Sequence, residues 1–279
     1  MPEALYPIPD MHAVVGSHDI VFITLDTLRY DVAQTLFEAG ELPVLAQYMA
    51  AGGWDKRHSP ATFTYAAHQA FFAGFLPTPA QPGRHARLFA SAFAGSETTS
   101  ARTFAFEEAD LPAALAARGY RTICIGGVGF FNKQTALGSV LPGLFQESHW
   151  SPGMGVASRH STEKQVKLAC ERLAATEGRT FLFINVAALH APNRAYLPGC
   201  RQDNLDSHAA ALRYVDGALA PLFEACARRA PTFAIVCSDH GSAYGDDGYQ
   251  GHRVAHDSVW QVPYANFFIP PPTAQEHTA

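Results

Sequence analysis

The run DIVFITL at Asp19–Leu25 is mostly apolar and rich in β-branched residues, and it ends at Asp26. Continuous apolarity of this length is typical of a parallel strand that is buried on both faces. Similar runs recur along the chain: RTICI at Arg121–Ile125, TFLFINV at Thr180–Val186, TFAIVC at Thr232–Cys237, and residues 263–269. The sequence therefore predicts a sheet built around these buried strands.

Helical patterns lie between the predicted strands. The predicted helices are 32–51 (divided by Gly40 and Pro43), 66–74, 107–118, 161–176 and 206–229. In the last of these, Leu212, Val215 and Leu219 follow the spacing of an amphipathic helix. Alternation of strands and helices predicts an α/β fold with a mostly parallel sheet.

The remaining segments are predicted to be irregular. Residues 77–103 are rich in Pro, Gly, Ser and Thr, and we interpret them as an insertion that could act as a lid. Residues 52–63 are predicted to be a loop, and 126–159 to be irregular. Residues 1–270 then form a single domain, followed by a disordered tail at 271–279.

The composition describes a globular, weakly charged chain. It has 279 residues, of which 48% are hydrophobic and 16% charged, and a formal net charge of −5. Because disorder requires low hydrophobicity and high net charge, the chain is predicted to fold. The negative charge does not favour nucleic acid or an acidic membrane as a partner. The thirteen histidines are the feature that composition leaves to be explained.

The cysteines and the N-terminal segment bear on location. The five cysteines are scattered and form no CxxC pair, which predicts reduced thiols. The N-terminal segment lacks the pattern of a signal peptide, and no apolar stretch reaches the ~18 residues of a spanning helix. We therefore expect a soluble, cytoplasmic protein with no membrane or nucleic-acid partner. The sequence leaves the oligomeric state open.

Metal-binding residue types follow three of the predicted strands. Asp26 follows the first, His190 lies four residues beyond Val186, and Asp239 and His240 follow Cys237 after one intervening residue. In an open parallel sheet, functional residues gather at the carboxyl ends of the strands. From spacing alone, two interpretations stay open: a metal site, or ordinary turns in which Asp26 caps a helix.

Four segments resemble, in order, the motifs of the sulfatase-like branch of the alkaline phosphatase superfamily. They are VFITLDTLRYD (21–31), SPATFTYAAHQAFFAGFLP (59–77), FINVAALHAPNRAY (183–196) and VCSDHGSAYGDDGYQGH (236–252). The segment ARGYRTICIGG (117–127) is similar to the middle strand of that family. The resemblance implies a three-layer αβα sandwich and a small soluble member of the family.

The resemblance also implies a metal centre. Asp26, Asp239 and His240 match the family's principal metal ligands, and Thr64 matches the nucleophile that also touches the metal. A free threonine hydroxyl is almost fully protonated at neutral pH, so a divalent cation is needed to stabilise its alkoxide. Two carboxylates and an imidazole suit Zn²⁺ or Mn²⁺.

Further histidines match positions around the transferred group. His190 and His252 match residues that contact this group or complete a second metal site. A two-metal member has an Asp where this chain has Val186, so we expect one metal and assign both histidines to phosphoryl oxygens or the leaving group. His68 stands where sulfatases have Arg, and it could donate to the transferred group or be a structural histidine.

The position of the nucleophile narrows the reaction class. Sulfatases that form formylglycine need Cys or Ser there, followed by Pro and Arg, whereas this chain has Thr64, Ala66 and His68. The resemblance therefore implies a phosphoester hydrolase that acts on a small phosphorylated metabolite through a phosphothreonine, and it disfavours a sulfatase. Two alternatives stay open: a phosphoryl transferase or phosphodiesterase with the same nucleophile, and a non-catalytic ligand-binding member.

Overall fold

The computed structural model describes residues 5–75, 84, 87–89, 103–105 and 109–271. The strands are β1 Asp19–Leu25, β2 Asp55–His58, β3 Arg87–Phe89, β4 Thr103–Ala105, β5 Arg121–Ile125, β6 Glu147–His149, β7 Thr180–Val186, β8 Thr232–Cys237, β9 Ala243–Tyr244, β10 Gln250–Gly251 and β11 Gln261–Ile269. The α-helices are α1 Met11–Val14, α2 Tyr30–Glu38, α3 Thr64–Ala73, α4 Leu111–Ala117, α5 Ala136–Gly143, α6 Ser161–Ala175, α7 Leu205–Arg229 and α8 Asp257–Trp260.

A seven-stranded sheet forms the middle layer, with the order β2-β11-β8-β1-β7-β5-β6. Strands β8, β1, β7, β5 and β6 are parallel, whereas β11 runs antiparallel to both of its neighbours. All seven residues of β1 and of β7 are buried, as their apolar runs predicted. The α/β fold with a mostly parallel sheet is confirmed.

Helices cover both faces of this sheet, because alternate residues of a strand point in opposite directions. On β1, Val21 and Ile23 pack into a core with α2, α6 and α7. Ile20 and Phe22, on the other face, pack into a second core with α3, α4 and α5. The three-layer αβα sandwich is therefore confirmed.

Two predictions of irregular structure were wrong. The segment 126–159 contains α5 and the edge strand β6, and the segment 52–63 contains β2. Strand β2 has the sequence DKRH, in which three of four residues are exposed, and it pairs only with β11. An edge strand buries little, so its sequence lacks the apolar run by which β1 and β7 are recognised.

The boundaries of the predicted insertion and tail fall mostly outside the described residues. Within 77–103, the structure describes residue 84, strand β3 and the first residue of β4, and β3 pairs with β4 in parallel. Residues 272–279 lie outside the description, so the proposed division of the chain stays a prediction. Among the described helices, none has the length and hydrophobicity that a membrane crossing requires.

Candidate metal centre and active site

The carboxyl ends of β1 and β8 bring three of the predicted ligands together. These strands are neighbours, and Thr24 pairs with Cys237, so Asp26 and Asp239 emerge two residues later from adjacent strands. Asp26, Asp239 and His240 each offer a ligand atom, and these atoms lie within 4.8 Å of one another. All three side chains are fully buried. Within the described part of the chain, this is the one such group of three or more residues.

The two carboxylates are buried without full compensation. Asp26 Oδ1 and Asp239 Oδ2 have no hydrogen-bond partner among the described residues. Burial, and secondarily the charge of Asp239, raises the pKa of Asp26 to about 6, while burial raises that of Asp239 to about 7. Because unpaired buried carboxylates are costly, these orphaned oxygens fit a cation that would neutralise them.

His240 presents an unprotonated ring nitrogen to the two carboxylates. Its Nδ1 lies 2.9 Å from the carbonyl oxygen of Gly241, which can only accept, so Nδ1 carries the proton. Its Nε2 is then an acceptor, 3.5 Å from Asp239 Oδ2. Burial lowers the pKa of His240 and keeps the ring neutral. A neutral imidazole with its other nitrogen held by a carbonyl is the usual form of a metal ligand.

Gly241 makes this turn possible because a side chain would not fit there. A Cβ atom at this position would stand 2.1 Å from the backbone oxygen of Ser258. The backbone N–H of Gly241 also donates to the carbonyl of Val259 at 2.7 Å. The chain after β8 therefore packs directly against α8, and this packing holds His240 in position.

Thr64 contacts two of these three residues, Asp26 and His240. It is the first residue of α3, it is buried, and the preceding Phe63 has extended backbone. Its Oγ1 lies 3.4 Å from Asp26 Oδ2 and 3.2 Å from His240 Nε2. The free N–H groups and the dipole of a helix N-terminus favour an anion at this end. The structure thus brings together all four residues that the resemblance assigned to the metal centre.

His68 lies beneath Thr64, one helical turn along α3, and is fully buried. Its Nδ1 is 2.7 Å from the backbone oxygen of Thr64, and its Nε2 is 3.0 Å from Thr24 Oγ1. Aromatic rings surround it, those of Phe71, Phe72, Phe131 and Phe183. Burial lowers its pKa to about 3, so the ring is neutral. Of the two roles left open for His68, this placement fits the structural one.

Asn185 and Thr24 join this site although the sequence did not single them out. The two residues are paired across β7 and β1. Asn185 Nδ2 donates to Asp26 Oδ2 at 3.0 Å and to Thr24 Oγ1 at 3.3 Å. Its Oδ1 accepts from the backbone N–H of Val128 at 2.9 Å. The available signal was an amide within the otherwise apolar end of TFLFINV, because buried polar side chains require partners.

His190 and His252 form the outer part of the site. The ring centroid of His252 lies 4.7 Å from that of His240 and 5.6 Å from that of His190. Burial, together with the neighbouring His240 and His190, lowers the pKa of His252 to about 3. The Nδ1 of His190 lies 2.6 Å from the carbonyl oxygen of Ala191. The rings of His190, His252 and His240 therefore lie in one cluster. Val186, at the position where a two-metal member has an Asp, is a buried apolar residue.

Solved structures of other proteins share this architecture. The periplasmic domain of phosphoethanolamine transferase EptC from Campylobacter jejuni is 12% identical, with a TM-score of 0.61 over 90% of this chain and 79% of that one. The corresponding domain of EptC from Escherichia coli, in complex with Zn, is 13% identical, with a TM-score of 0.58 over 90% and 73%. An alkaline phosphatase superfamily protein from Vibrio parahaemolyticus is 19% identical, with a TM-score of 0.56 over 92% and 62%.

At these identities the structural likeness concerns the fold. Comparison with curated proteins returns no match. The family model described as Sulfatase matches residues 18–277, which include every residue of the site described above. The chain belongs to the sulfatase family.

Proposed function

We propose that the protein is a metal-dependent phosphoester hydrolase with Thr64 as its nucleophile. The observation that carries this proposal is the position of Thr64 Oγ1, which lies 3.4 Å from Asp26 Oδ2 and 3.2 Å from His240 Nε2. A hydroxyl at the N-terminus of a helix and beside a candidate metal group is placed for nucleophilic attack on an anionic ester. Family membership supports chemistry on phosphoric or sulfuric esters.

The proposed ligands of the metal are Asp26, Asp239, His240 and Thr64. The orphaned carboxylate oxygens and the unprotonated Nε2 of His240 support this set. Oxygen and imidazole donors suit Zn²⁺ or Mn²⁺, and one of the similar structures is a complex with Zn. When bound there, such a cation lowers the pKa of the threonine hydroxyl and neutralises charge on a phosphoryl oxygen.

In the first proposed step, Thr64 Oγ1 attacks phosphorus. Oγ1 loses its hydroxyl proton to solvent, the Oγ1–P bond forms, the bond from phosphorus to the leaving oxygen breaks, and the leaving oxygen takes a proton. His190 is partly exposed in the outer part of the site, so we assign it to the leaving oxygen. His252 is assigned to the phosphoryl oxygens.

In the second step, water attacks the phosphothreonine. The new P–O bond forms, the Oγ1–P bond breaks, and Thr64 recovers a proton.

We assign His68 to holding Thr64 in place, because both of its ring nitrogens are within hydrogen-bond distance of protein atoms. The proposed substrate is a small phosphorylated metabolite.

A transferase is the second candidate, and it differs only in the acceptor. Two of the similar structures are EptC domains, one of them named a phosphoethanolamine transferase. In that case an alcohol replaces water in the second step, with the same intermediate on Thr64.

We propose the cytoplasm as the location, which the free thiols of all five cysteines support, because reduced cysteines are typical of that compartment.

The test combines metal analysis with ester assays. Aryl phosphate monoesters, aryl phosphate diesters and aryl sulfates are offered to the wild type, to Thr64→Ala and to Thr62→Ala, a matched loss of a threonine hydroxyl two residues away. We expect metal-dependent hydrolysis of phosphate esters, lost by at least about a thousandfold in Thr64→Ala and retained in Thr62→Ala.

Several outcomes would contradict parts of this proposal. Full activity of Thr64→Ala would exclude the nucleophile, and faster hydrolysis of the sulfate would change the reaction class. Absence of turnover on every ester would favour a ligand-binding member. Mass spectrometry of the acid-quenched reaction should find one phosphoryl group on the peptide that contains Thr64. A product in which an added alcohol carries that group would favour the transferase.

A further inference from the structure

A cavity of about 290 Å³ is lined by residues that are close neighbours in sequence of the site histidines. Its walls come from three segments that each adjoin one of these histidines. Ala191 follows His190, Ser242 lies two residues after His240, and Gly251 precedes His252. This volume is smaller than that of a pocket for a drug-sized ligand, and it suits one chemical group of a larger molecule.

Two arginines, Arg194 and Arg201, are among the residues that line this cavity. Within the described residues, neither takes part in an ion pair, whereas Arg29 is paired with both Asp31 and Asp246. The one carboxylate of the lining belongs to Asp203, and its Oδ1 accepts the backbone N–H of Arg194 at 2.7 Å. Asp203 therefore holds the backbone at Arg194. With two arginines and one aspartate, the lining has a local excess of positive charge, although the chain as a whole has a net charge of −5.

One wall of the cavity is held rigidly. Tyr244 lines it, and its hydroxyl lies 3.0 Å from His208 Nδ1 and accepts from Asn193 Nδ2 at 2.7 Å. Asn193 in turn accepts from Ser207 Oγ at 2.6 Å, and Asn193, Ser207 and His208 are fully buried. A network of this kind keeps the wall in one conformation, which lowers the entropic cost of binding.

We propose that this cavity binds a second anionic group of the substrate, a carboxylate or a second phosphate on the molecule whose phosphoester reacts at Thr64. This inference rests on the proposed function and narrows its substrate class to small phosphoesters with another acidic group. Arg194 and Arg201 provide the charge that recognises this group, since guanidinium binds carboxylate and phosphate with directed hydrogen bonds. The arginines are then determinants of specificity and take no part in bond breaking.

The experiment compares phenyl phosphate with its ortho-, meta- and para-carboxylated forms. The measured quantity is the ratio of kcat/KM for each carboxylated ester to that for phenyl phosphate. We expect the wild type to prefer at least one isomer, and the double variant R194Q/R201Q to lose about tenfold of that preference. Turnover of phenyl phosphate itself should change little.

Arg118→Gln is the matched control. Arg118 is also exposed, but it lies between α4 and β5, at the amino end of the sheet and away from the site. The substitution Arg118→Gln changes the net charge by the same amount per residue, and it should leave the ratio of kcat/KM values as in the wild type. Either of two results would overturn the proposal. One is an equal preference for a carboxylated ester in the wild type and in R194Q/R201Q. The other is a wild type that prefers none of the three carboxylated isomers over phenyl phosphate.

The cavity can also be tested if the proposed hydrolase function is wrong. If the wild type does not hydrolyse phenyl phosphate, calorimetric titration of the same four esters replaces the kinetic ratio with a ratio of dissociation constants. A second-anion site still predicts tighter binding of one carboxylated ester and about a tenfold loss in R194Q/R201Q. Equal binding of all four esters would exclude the site whatever the chemistry of Thr64.

Discussion

His68 Nδ1 lies 2.7 Å from the backbone oxygen of Thr64, and this contact sets the direction of a buried chain of hydrogen bonds. A carbonyl only accepts, so Nδ1 carries the proton and Nε2 must accept the hydroxyl proton of Thr24. The oxygen of Thr24 then accepts from Asn185 Nδ2, which also donates to Asp26. The backbone of the proposed nucleophile is thereby connected to a proposed metal ligand.

The first prediction concerns His68. His68→Phe removes both hydrogen bonds within the aromatic surroundings, and we expect kcat to fall about 10–100-fold with KM nearly unchanged, because Thr64 loses its orientation. His68→Asn keeps a donor near the position of Nδ1 and should recover part of kcat. Steady-state kinetics on phenyl phosphate gives both constants. Equal kcat in the wild type and His68→Phe would exclude a positioning role.

The second prediction concerns Asn185. Its hydrogen bond lowers the pKa of Asp26, so Asn185→Leu should raise that pKa and weaken Zn²⁺ binding about 10–100-fold. Competition with a chromophoric chelator measures the dissociation constant. Asn266→Leu is the control, because Asn266 is a buried amide of β11 whose Nδ2 donates to Tyr264. Equal weakening in both variants would show that the effect is general loss of structure.

The third prediction is a pH dependence of stability in the metal-free protein. The pKa of Asp239 is raised to about 7, above the ~3.9 of an unfolded chain. Its contribution to the free energy of unfolding is therefore fully present below about pH 4 and lost as pH rises through about 7. Metal-free Asp239→Asn lacks this dependence, so its stability relative to the wild type should increase between pH 5 and pH 8.

Urea denaturation in the presence of a chelator measures this difference. Asp206→Asn, which changes an exposed carboxylate at the start of α7, should show no comparable change with pH. Added Zn²⁺ should reverse the order at pH 8 by stabilising the wild type, because a ligand that binds the folded state raises its stability. A difference between the wild type and Asp239→Asn that stays constant over this range would contradict the prediction.

The fourth prediction concerns two glycines. Gly241→Ala places a Cβ atom 2.1 Å from the backbone oxygen of Ser258, so it should lower the free energy of unfolding by about 1–3 kcal/mol and weaken Zn²⁺ binding through His240. Gly217→Ala is matched in chemistry, but Gly217 is within α7 and its Cβ would meet nothing within 4 Å. It should stabilise the protein by roughly 0.5–1 kcal/mol. Urea denaturation of both variants gives the sign, and destabilisation by Gly217→Ala would be inconsistent with this view.

Much of this protein can be predicted from local sequence. The apolar runs of β1 and β7 predicted buried parallel strands because burial on both faces imposes continuous apolarity. The proposed ligands Asp26, Asp239 and His240 lie one to three residues after the ends of β1 and β8, so the order of elements was enough to bring them to one edge of the sheet.

Other features depend on contacts between distant residues, and no local pattern encodes them. The pairing of Thr24 with Asn185 requires the register of β1 against β7, and the role of His68 requires the direction of each hydrogen bond around it. The arginine cavity forms only where three loops from separate parts of the chain meet. Local apolar periodicity therefore specified the layers and the candidate ligands, whereas long-range register and packing specified the positioning network and the shape of the substrate site.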